Sequence, residues 1–381
     1  MHKKFHKTKS FYNLIIKKQR IFIFIFFILL YIYFRSEVVY LPVESLNIPS
    51  GFGIDLSPCD KKFSVSMSFY DYYEEEKVCS KTYTVVDNSL SHVIEELQLY
   101  LDKKMLTGVE KAYIFSEEYS KFGIKNLIDI DFKDASINDT VVLAVCKGRV
   151  EDILNFKIPS YANSADYIEG MIENSKVNNF FSDNYNLIDV FVRVGAEGRN
   201  VVLPYIEIKD NKLKITGMAL FKKDKMTQRI DIDETRVMNL LRENDVRGIL
   251  VLREDSKKSI GYNAQTSRKV RCEKKDDRYS FYINLSLKGD IIENELLPDI
   301  NSNPETMKIF ENRMKERVEK MSADFIHKMQ KDYKIDCLEL GKVAASKYGR
   351  HKGIDWNEVV CDSEIVVNVD IEVDNMGRGD Y

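Results

Sequence analysis

The chain has 381 residues, a formal net charge of −3, 44% hydrophobic residues and 31% charged residues. This balance is typical of folded globular proteins and excludes a disordered or collagen-like chain. Only one stretch is long and apolar, which excludes a polytopic membrane protein. The charge is unevenly distributed, because residues 1–35 contain eight Lys and Arg residues and no acidic residue. The first 35 residues therefore carry a net charge of +8, and residues 36–381 carry a net charge of −11. A net negative charge on the body of the protein argues against nucleic-acid binding.

The N-terminus combines a basic tail, residues 1–20, with the apolar run IFIFIFFILLYIYF at residues 21–34. As a helix this run rises about 21 Å against a hydrocarbon core of roughly 30 Å, so neighbouring apolar residues and snorkelling Lys and Arg would complete a span. Three interpretations are open: a signal peptide, a buried core helix and an uncleaved single-pass anchor at residues 21–35. The charge asymmetry and the lack of a small-x-small cleavage site favour the anchor, with a cytoplasmic tail and an extracytoplasmic body.

Residues 36–50 are predicted to form a linker, because Pro42 and Pro49 discourage a helix. A mixed α/β domain is predicted for residues 51–158. Apolar or alternating patterns predict its strands at residues 63–70, 82–86, 112–115 and 140–146. Helical spacing predicts one helix over residues 89–105 and another that begins near Ser116. We interpret Gly51 and Gly53 as a turn that enters a strand.

A second α/β domain is predicted for residues 159–262. Its first 40 residues are interpreted as helices and loops. A strand pair at residues 201–208 and 213–221, joined by a polar turn, precedes a short helix at 233–243 and a strand at 248–252. The charged stretch at residues 257–278 is interpreted either as a domain boundary or as a long hairpin.

A third, α+β domain is predicted for residues 263–377. A strand at residues 279–289 is followed by a helix near 304–334, with Asn303 as its cap and Pro304 in its first turn. The apolar residues of this helix recur every three or four positions and are interpreted as core: Met307, Phe310, Met314, Val318, Met321, Phe325, Met329 and Tyr333. A final strand at residues 364–373 completes a sheet that the helix can cover.

The sequence lacks the common catalytic and nucleotide-binding motifs, such as GxGxxG, the Walker A loop, HExxH and GxSxG. The six Cys residues form no CxxC pair and their spacing suits no zinc site. Cys146 is interpreted as a small buried apolar residue, and a bridge between Cys59 and Cys79 would join two neighbouring strands. Residue types alone therefore predict an anchored extracytoplasmic protein without catalytic residues, cofactor or metal.

Several segments, taken in order, resemble the C subunits of bacterial spore nutrient-germinant receptors, the GerAC or Ger(x)C family. These segments are GFGIDLSP (51–58), FSEEYSKFGI (115–124), VVLAVCKGRVEDIL (141–154), VLPYIEI (202–208), TGMALFKKDKM (216–226), the DETR helix start (233–236), QKDYKIDCLELGK (330–342) and VVNVDIEV (366–373). The resemblance covers about residues 46–377. The motif residues that we interpret as structural are Gly51, Gly53, Asp55, Glu117, Gly123, Pro204, Tyr205, Glu207, Gly217, Thr235, Asp336 and Trp356.

The resemblance implies an N-terminal anchor followed by three successive α/β domains, of the α+β or mixed α/β class, on the outer face of the spore inner membrane. It implies no enzymatic activity and no cofactor. The implied partners are an A-type membrane subunit with a soluble head and a transporter-like B-type membrane subunit.

This sequence departs from the family in one respect. Family members are typically lipoproteins, but here no Cys follows the apolar run before Cys59, so an uncleaved helix is expected in place of the lipid. The alternative function is a membrane-anchored solute-binding protein or envelope-remodelling enzyme. A pocket with convergent ionisable groups would favour that alternative.

Overall fold

The structure, a computed structural model, describes residues 2–35, 42–57, 59–72, 78–255, 257–350 and 353–375. The chain forms two compact units, Met1–Leu46 and Asn47–Tyr381, and we describe each by itself. Of the predicted linker, residues 36–41 lie outside the described residues. Strand structure already begins within the predicted linker, because an interior strand of the larger sheet starts at Pro49.

The N-terminal unit contains helix α1 (His2–Arg35) and a short 3₁₀ helix (Val43–Ser45). The apolar side chains of residues 21–34 are exposed along α1. Within the residues that the structure describes, no helix combines enough length with enough apolar character to span a bilayer.

The remaining elements follow in chain order. The first half of the chain contributes β1 (Leu46–Asn47), β2 (Pro49–Leu56), β3 (Phe63–Tyr72), β4 (Val78–Asp87), α2 (Leu90–Leu99), β5 (Lys104–Met105), β6 (Ala112–Ser116), α3 (Glu117–Phe122), α4 (Lys125–Asp131), β7 (Val142–Cys146), α5 (Val150–Leu154), α6 (Ser164–Asn174) and α7 (Leu187–Gly195). The second half contributes β8 (Val202–Lys209), β9 (Lys212–Lys222), β10 (Lys225–Asp231), α8 (Ile232–Arg242), β11 (Arg247–Arg253), β12 (Ser259–Lys275), β13 (Arg278–Asn294), α9 (Pro304–Lys328), a π-helical turn (Met329–Tyr333), α10 (Leu340–Tyr348), α11 (Trp356–Cys361) and β14 (Glu364–Asn375).

The larger sheet has eight strands in the order β10-β9-β8-β7-β6-β2-β3-β4. Its four central strands, β8, β7, β6 and β2, run parallel, and the flanking strands are joined to them as antiparallel hairpins. Parallel strands are buried on both faces by their crossover helices, which explains why β6 and β7 are almost wholly apolar. The sheet takes strands from both sides of residue 158, the first predicted boundary. The division into three domains stays a prediction.

One sequence interpretation is corrected at the centre of this sheet. Gly51 and Gly53 lie within β2 and do not form a turn that enters it. A Cβ atom at Gly53 would lie 1.9 Å from Cγ1 of Val150, so the missing side chain lets α5 pack directly on the strand. Pro204 lies in the interior strand β8, one residue before pairing with β7 begins at Tyr205.

The smaller sheet has the order β11-β12-β13-β14. The charged stretch at residues 257–278 belongs to the long β12–β13 hairpin, as the hairpin interpretation predicts. Helix α9 packs on this sheet with Phe310, Met314 and Val318 fully buried, and the Phe310 ring meets Tyr262 edge to face at 5.6 Å. The core interpretation of the long helix is therefore confirmed, although its last turn is π-helical and ends at the left-handed Lys334.

Candidate functional site

Four of the motif segments meet at one edge of the larger sheet, where the parallel strands β2, β6, β7 and β8 end. The carboxyl ends of parallel strands lie at the same edge, which is the usual position of sites in open α/β sheets. We call this group the carboxyl-edge site and define it by Asp55, Glu117, Arg149 and Glu207. It borders a cavity of about 400 Å³, which is lined by Asp55, Leu56, Ser57, Ser64, Ser116, Glu117, Glu118, Gly148 and Arg149.

Asp55 caps a distant helix. Its two carboxylate oxygens accept the backbone N–H of Val150, the first residue of α5, at 3.2 and 3.1 Å. Burial raises the pKa of Asp55 to about 6, against the opposing effect of the hydrogen bonds from Val150 and the Ser116 hydroxyl. Arg149, the residue before α5 at the end of this loop, forms an ion pair with Glu151. The carboxylate thus fixes the loop after β7 to the end of β2.

The segment around Glu117 is held in place by a cap and a glycine. The Ser116 hydroxyl accepts the N–H of Tyr119 at 3.2 Å and so caps α3. Gly123 ends that helix with φ of 133°, a conformation that other residues rarely adopt, and a Cβ there would lie 2.6 Å from Oδ2 of Asp224. The side chain of Glu117 hydrogen-bonds Tyr205, whose pKa is raised chiefly by burial.

Glu207 contacts three polar side chains at this edge of the sheet. It accepts hydrogen bonds from the Thr216 hydroxyl at 2.6 Å and the Arg229 guanidinium at 2.9 Å, and Lys147 lies 3.5 Å away. The Thr216 hydrogen bond, followed by that of Arg229, lowers the pKa of Glu207. Arg229 also lies over the Tyr205 ring, 5.0 Å from its centroid. These contacts connect β8, β9 and β10 at the sheet edge.

Gly217 lies opposite Tyr205 in the β8–β9 pair. A Cβ there would lie 1.8 Å from the carbonyl oxygen of Ile230 on β10, so only glycine permits this strand approach.

Thr235 lies away from the carboxyl-edge site, in the first turn of α8. Its hydroxyl donates to the carbonyl oxygen of Asp231 at 2.6 Å. Asp231 and Glu234 form a capping box at this helix start. Glu234 also accepts hydrogen bonds from Lys328 and Tyr333, both at 2.7 Å, and so ties α8 to the end of α9.

Asp336 and Trp356 lie at a third place, next to α10 and α11. Asp336 is fully buried and accepts the backbone N–H groups of Leu338, Leu340 and Gly341 at 2.7 to 3.2 Å. Burial raises its pKa to about 6. The Trp356 ring is buried and meets Tyr279 edge to face at 5.6 Å.

Sequence reasoning missed a buried ion cluster beside Asp336, which we define by Arg193, Arg199, Arg242, Glu243 and Glu339. Oε1 of Glu339 accepts from Arg242 at 2.8 Å and from Arg193 and Arg199 at 3.1 Å. Burial alone would raise the pKa of Glu339, but the three guanidinium groups overcome it and lower the pKa to about 2. The signal in the sequence was Arg242, which follows the apolar residues Leu240 and Leu241 on a predicted helix.

Of the twelve motif residues, Gly51, Gly53 and Pro204 lie inside strands of the larger sheet, and the others fall into three separate groups. At the carboxyl edge, Asp55 and Glu207 hold neighbouring segments in place through hydrogen bonds. The six Cys residues are free, with Cys146 buried as predicted and Cys59 and Cys79 exposed without a bridge. Within the described residues, no group of three or more His, Cys, Asp or Glu side chains has the arrangement of a metal site.

Comparison with known proteins gives consistent matches. Residues 40–208 match the family model "Spore germination protein N-terminal domain", and residues 216–377 match "Spore germination B3/GerAC like, C-terminal". The chain is 22% identical over 274 residues to the spore germination protein GerQC of Bacillus cereus, covering 71% of this chain and 75% of that protein. The crystal structure of the GerBC protein matches with a TM-score of 0.52 and 14% identity over 85% of this chain and 96% of that chain, which shows a shared fold.

Proposed function

The chain belongs to the GerAC, or Ger(x)C, family of spore germination proteins, and from this premise we propose that it is the non-catalytic C subunit of a germinant receptor. Its role is to contact an A-type and a B-type membrane subunit, so that a nutrient triggers germination. The observation that carries the proposal is the pair of family matches, which together span both sheets of the fold.

The geometry of the carboxyl-edge site supports a role in binding rather than in catalysis. A general acid or base needs a proton-transfer group directed at a substrate. Here both oxygens of Asp55 face a helix N-terminus, and Glu207 is surrounded by Thr216, Arg229 and Lys147. Groups used in this way maintain the shape of a surface.

We place the protein at the spore inner membrane, with α1 as its single-pass anchor and the body on the extracytoplasmic face. The basic tail and the exposed apolar side chains of residues 21–34 support this placement. Mass spectrometry of membrane-extracted protein tests it, because an uncleaved anchor yields peptides that precede Ser36. A mature N-terminus after Phe34 would contradict the anchor.

Deletion of the gene tests the receptor role. The deletion strain is expected to lose germination in response to one nutrient class and to germinate normally with a non-nutrient trigger, and the wild-type gene restores the response. Copurification with A-type and B-type subunits from spore membranes is expected. A full nutrient response in a deletion strain without a redundant gene copy would refute the proposal.

Solute binding is the second candidate, because ionisable side chains converge on the carboxyl-edge cavity. Equilibrium dialysis of the purified chain against labelled nutrients separates the two functions. Binding that is lost in Asp55→Ala and Glu117→Gln, but kept in Asp129→Asn at an exposed position outside the cavity lining, would favour solute binding.

A further inference from the structure

Strand β11 lies at an edge of the smaller sheet, and the chain itself covers only half of that edge. The N–H of Phe180 donates to the carbonyl oxygen of Arg247 at 2.8 Å, and the N–H of Ile249 donates to that of Asn178 at 3.2 Å. The segment 178–180 is thus a short antiparallel addition to the edge strand, bridged through Asn179 and Gly248. This part of the edge shows that an extended segment fits there.

The other half of the edge is open. Backbone groups alternate in direction along a strand, so Val251 and Arg253 direct their N–H and C=O groups away from β12, as Arg247 and Ile249 do. Among the described residues, no hydrogen bond reaches the backbone N–H or C=O of Val251. An edge strand with unpaired backbone groups is a template for another strand.

A cleft of about 490 Å³ runs beside the open half, between β11, α8 and α9. Its floor is apolar and is formed by Phe180, Val237, Leu240, Leu250, Met321 and Phe325. Phe180 lines one part of it and is held at a left-handed φ of 58°. A Cβ at Gly248 would lie 2.3 Å from that ring, so glycine is what allows the ring to rest on the strand. A strand paired with Val251 would direct alternate side chains into this cleft.

The charges near the open half indicate what the added strand carries. Arg313 pairs with Glu254 at 2.8 Å, which brings α9 close to the end of β11. Arg317 follows one helical turn later, lines the cleft and is exposed, as is Arg253. Within the described part of the chain, neither of these two guanidinium groups has a carboxylate within ion-pair distance. Of the acidic residues that line the cleft, Asp233 and Glu234 pair with Arg236 and Lys328, and Asp324 lies seven residues after Arg317 on α9. The two arginines lie beside the open half without such a partner, so charge complementarity there favours an acidic residue in the bound segment.

We propose that the open half of β11 binds an extended segment of a partner protein, four to six residues long, with apolar side chains at alternate positions and an Asp or Glu near Arg317. Backbone pairing with Val251 and Arg253 supplies the hydrogen bonds, and the cleft accepts the apolar side chains. The proposal rests on the proposed function, because it identifies the surface through which the receptor subunit meets a partner.

Photo-crosslinking in intact spores tests this surface. Benzoylphenylalanine replaces Asp324, which lines the cleft, and in a control strain it replaces Lys320, which is exposed on the same helix but does not line the cleft. We expect a crosslink from position 324 to one segment with alternating apolar residues and a carboxylate, and at least tenfold less product from position 320. Equal products, a basic or helical segment, or a second copy of this chain would overturn the proposal.

Variants of the strand test the pairing itself. Val251→Pro removes an N–H that points away from β12, so the β11–β12 ladder stays intact, and it should reduce the crosslink at least tenfold. Val251→Thr keeps the N–H and should crosslink as the unsubstituted chain does. Arg317→Glu tests the same surface without introducing a proline into the strand. It should also reduce the crosslink tenfold, and Arg317→Lys should crosslink as the unsubstituted chain does. Unchanged crosslinking in Val251→Pro and Arg317→Glu would refute strand addition.

Germination assays separate this proposal from the receptor role. Spores with Val251→Pro should respond to nutrient as the deletion strain does, and spores with Val251→Thr as the wild type does. A deletion strain that still responds fully would refute the receptor role, whereas the crosslink from position 324 would still report on the edge. A deletion that abolishes the response, together with a fully responsive Val251→Pro strain, would refute only strand addition.

Discussion

Asp55 binds the backbone N–H of Val150 through both carboxylate oxygens, at 3.2 and 3.1 Å, across a sequence separation of 95 residues. The contact joins the GFGID motif at the end of β2 to the loop between β7 and α5. A carboxylate at a helix start satisfies an N–H group that has no partner within the helix. One side chain therefore connects two motifs that seem independent in the sequence.

Substitution of Asp55 should destabilise the protein. Asp55→Ala removes the cap and is expected to lower the free energy of unfolding by about 1–2 kcal/mol. Urea unfolding of the purified chain in mild detergent at pH 5 measures this change. The pKa of Asp55 is raised to about 6, so at pH 5 the carboxyl group is mostly neutral and its replacement removes no buried charge. The carbonyl oxygen of the neutral group still accepts the N–H of Val150, and the measured difference therefore reports the lost cap. Glu118→Ala, at an exposed position of the same cavity, should change it by less than about 0.5 kcal/mol. Equal effects would contradict the capping role.

A side chain at Gly53 should disturb the packing of α5 on β2. Gly53→Ala places a Cβ 1.9 Å from Cγ1 of Val150, and the strain is expected to cost about 1–3 kcal/mol. Gly170→Ala is the matched control, because that glycine lies in α6 with no atom near its Cβ position, and it should stabilise the helix by about 0.5–1 kcal/mol. Thermal unfolding of both variants checks the opposite signs. A stabilised Gly53→Ala would exclude the close approach.

Asp131 should make stability fall as the pH rises. Burial, aided by Glu110 and Asp134, raises its pKa from 3.8 to about 7, and its Oδ2 atom has no hydrogen-bond partner among the described residues. Because the pKa is higher in the folded protein, protonated Asp131 contributes fully to the free energy of unfolding below about pH 4. This contribution is lost as the pH rises through about 7. Asp131→Asn should therefore stabilise the protein by about 1–2 kcal/mol at pH 8 and have little effect at pH 4.

The control for this prediction is Asp129→Asn, two residues earlier on α4. Asp129 is 44% exposed and pairs with Lys125 at 3.0 Å. Its replacement should change the free energy of unfolding by less than about 0.5 kcal/mol at both pH values. If Asp131→Asn had the same effect at pH 4 as at pH 8, titration of Asp131 would not be the cause.

Neutralising Glu339 should be severely destabilising. Glu339→Gln leaves the guanidinium groups of Arg193, Arg199 and Arg242 without their shared carboxylate, and breaking such a buried pair costs about 3–5 kcal/mol. Lys342→Gln, at a half-exposed position 3.8 Å from Glu339, should have an effect below about 1 kcal/mol. Urea unfolding at pH 7 measures both. A small effect of Glu339→Gln would mean that the arginines find other partners.

The buried ring of Phe310 should stabilise the smaller sheet. Phe310→Ala removes a fully buried side chain and is expected to cost about 3–5 kcal/mol. Ile309→Ala, at the adjacent and 50% exposed position of α9, should cost less than about 1 kcal/mol. Denaturant unfolding compares the two variants. Similar costs would show that α9 does not pack on the sheet through the Phe310 face.

Local pattern was sufficient for most of the elements of this fold. The predicted strand pair at 201–208 and 213–221 corresponds to β8 and β9, and the apolar stripe of α9 is buried as its spacing indicates. Both features depend on short-range periodicity, since alternation marks a strand and a spacing of three or four marks a helix face. The glycines of β2 were misread as a turn. Glycine is needed at Gly53 because a helix that lies about 100 residues later in the chain packs directly on the strand there.

The sequence by itself determined the element types, the core face of the long helix and, through the ordered motifs, the family. Only the tertiary structure decided that Asp55, Glu117 and Glu207 share a sheet edge, that Glu339 joins three arginines and that half of β11 is open. The physical reason is that hydrophobic periodicity is encoded between near neighbours, whereas hydrogen bonds and ion pairs join residues that chain topology brings together. The contacts of the carboxyl-edge site and of the buried ion cluster are of the second kind.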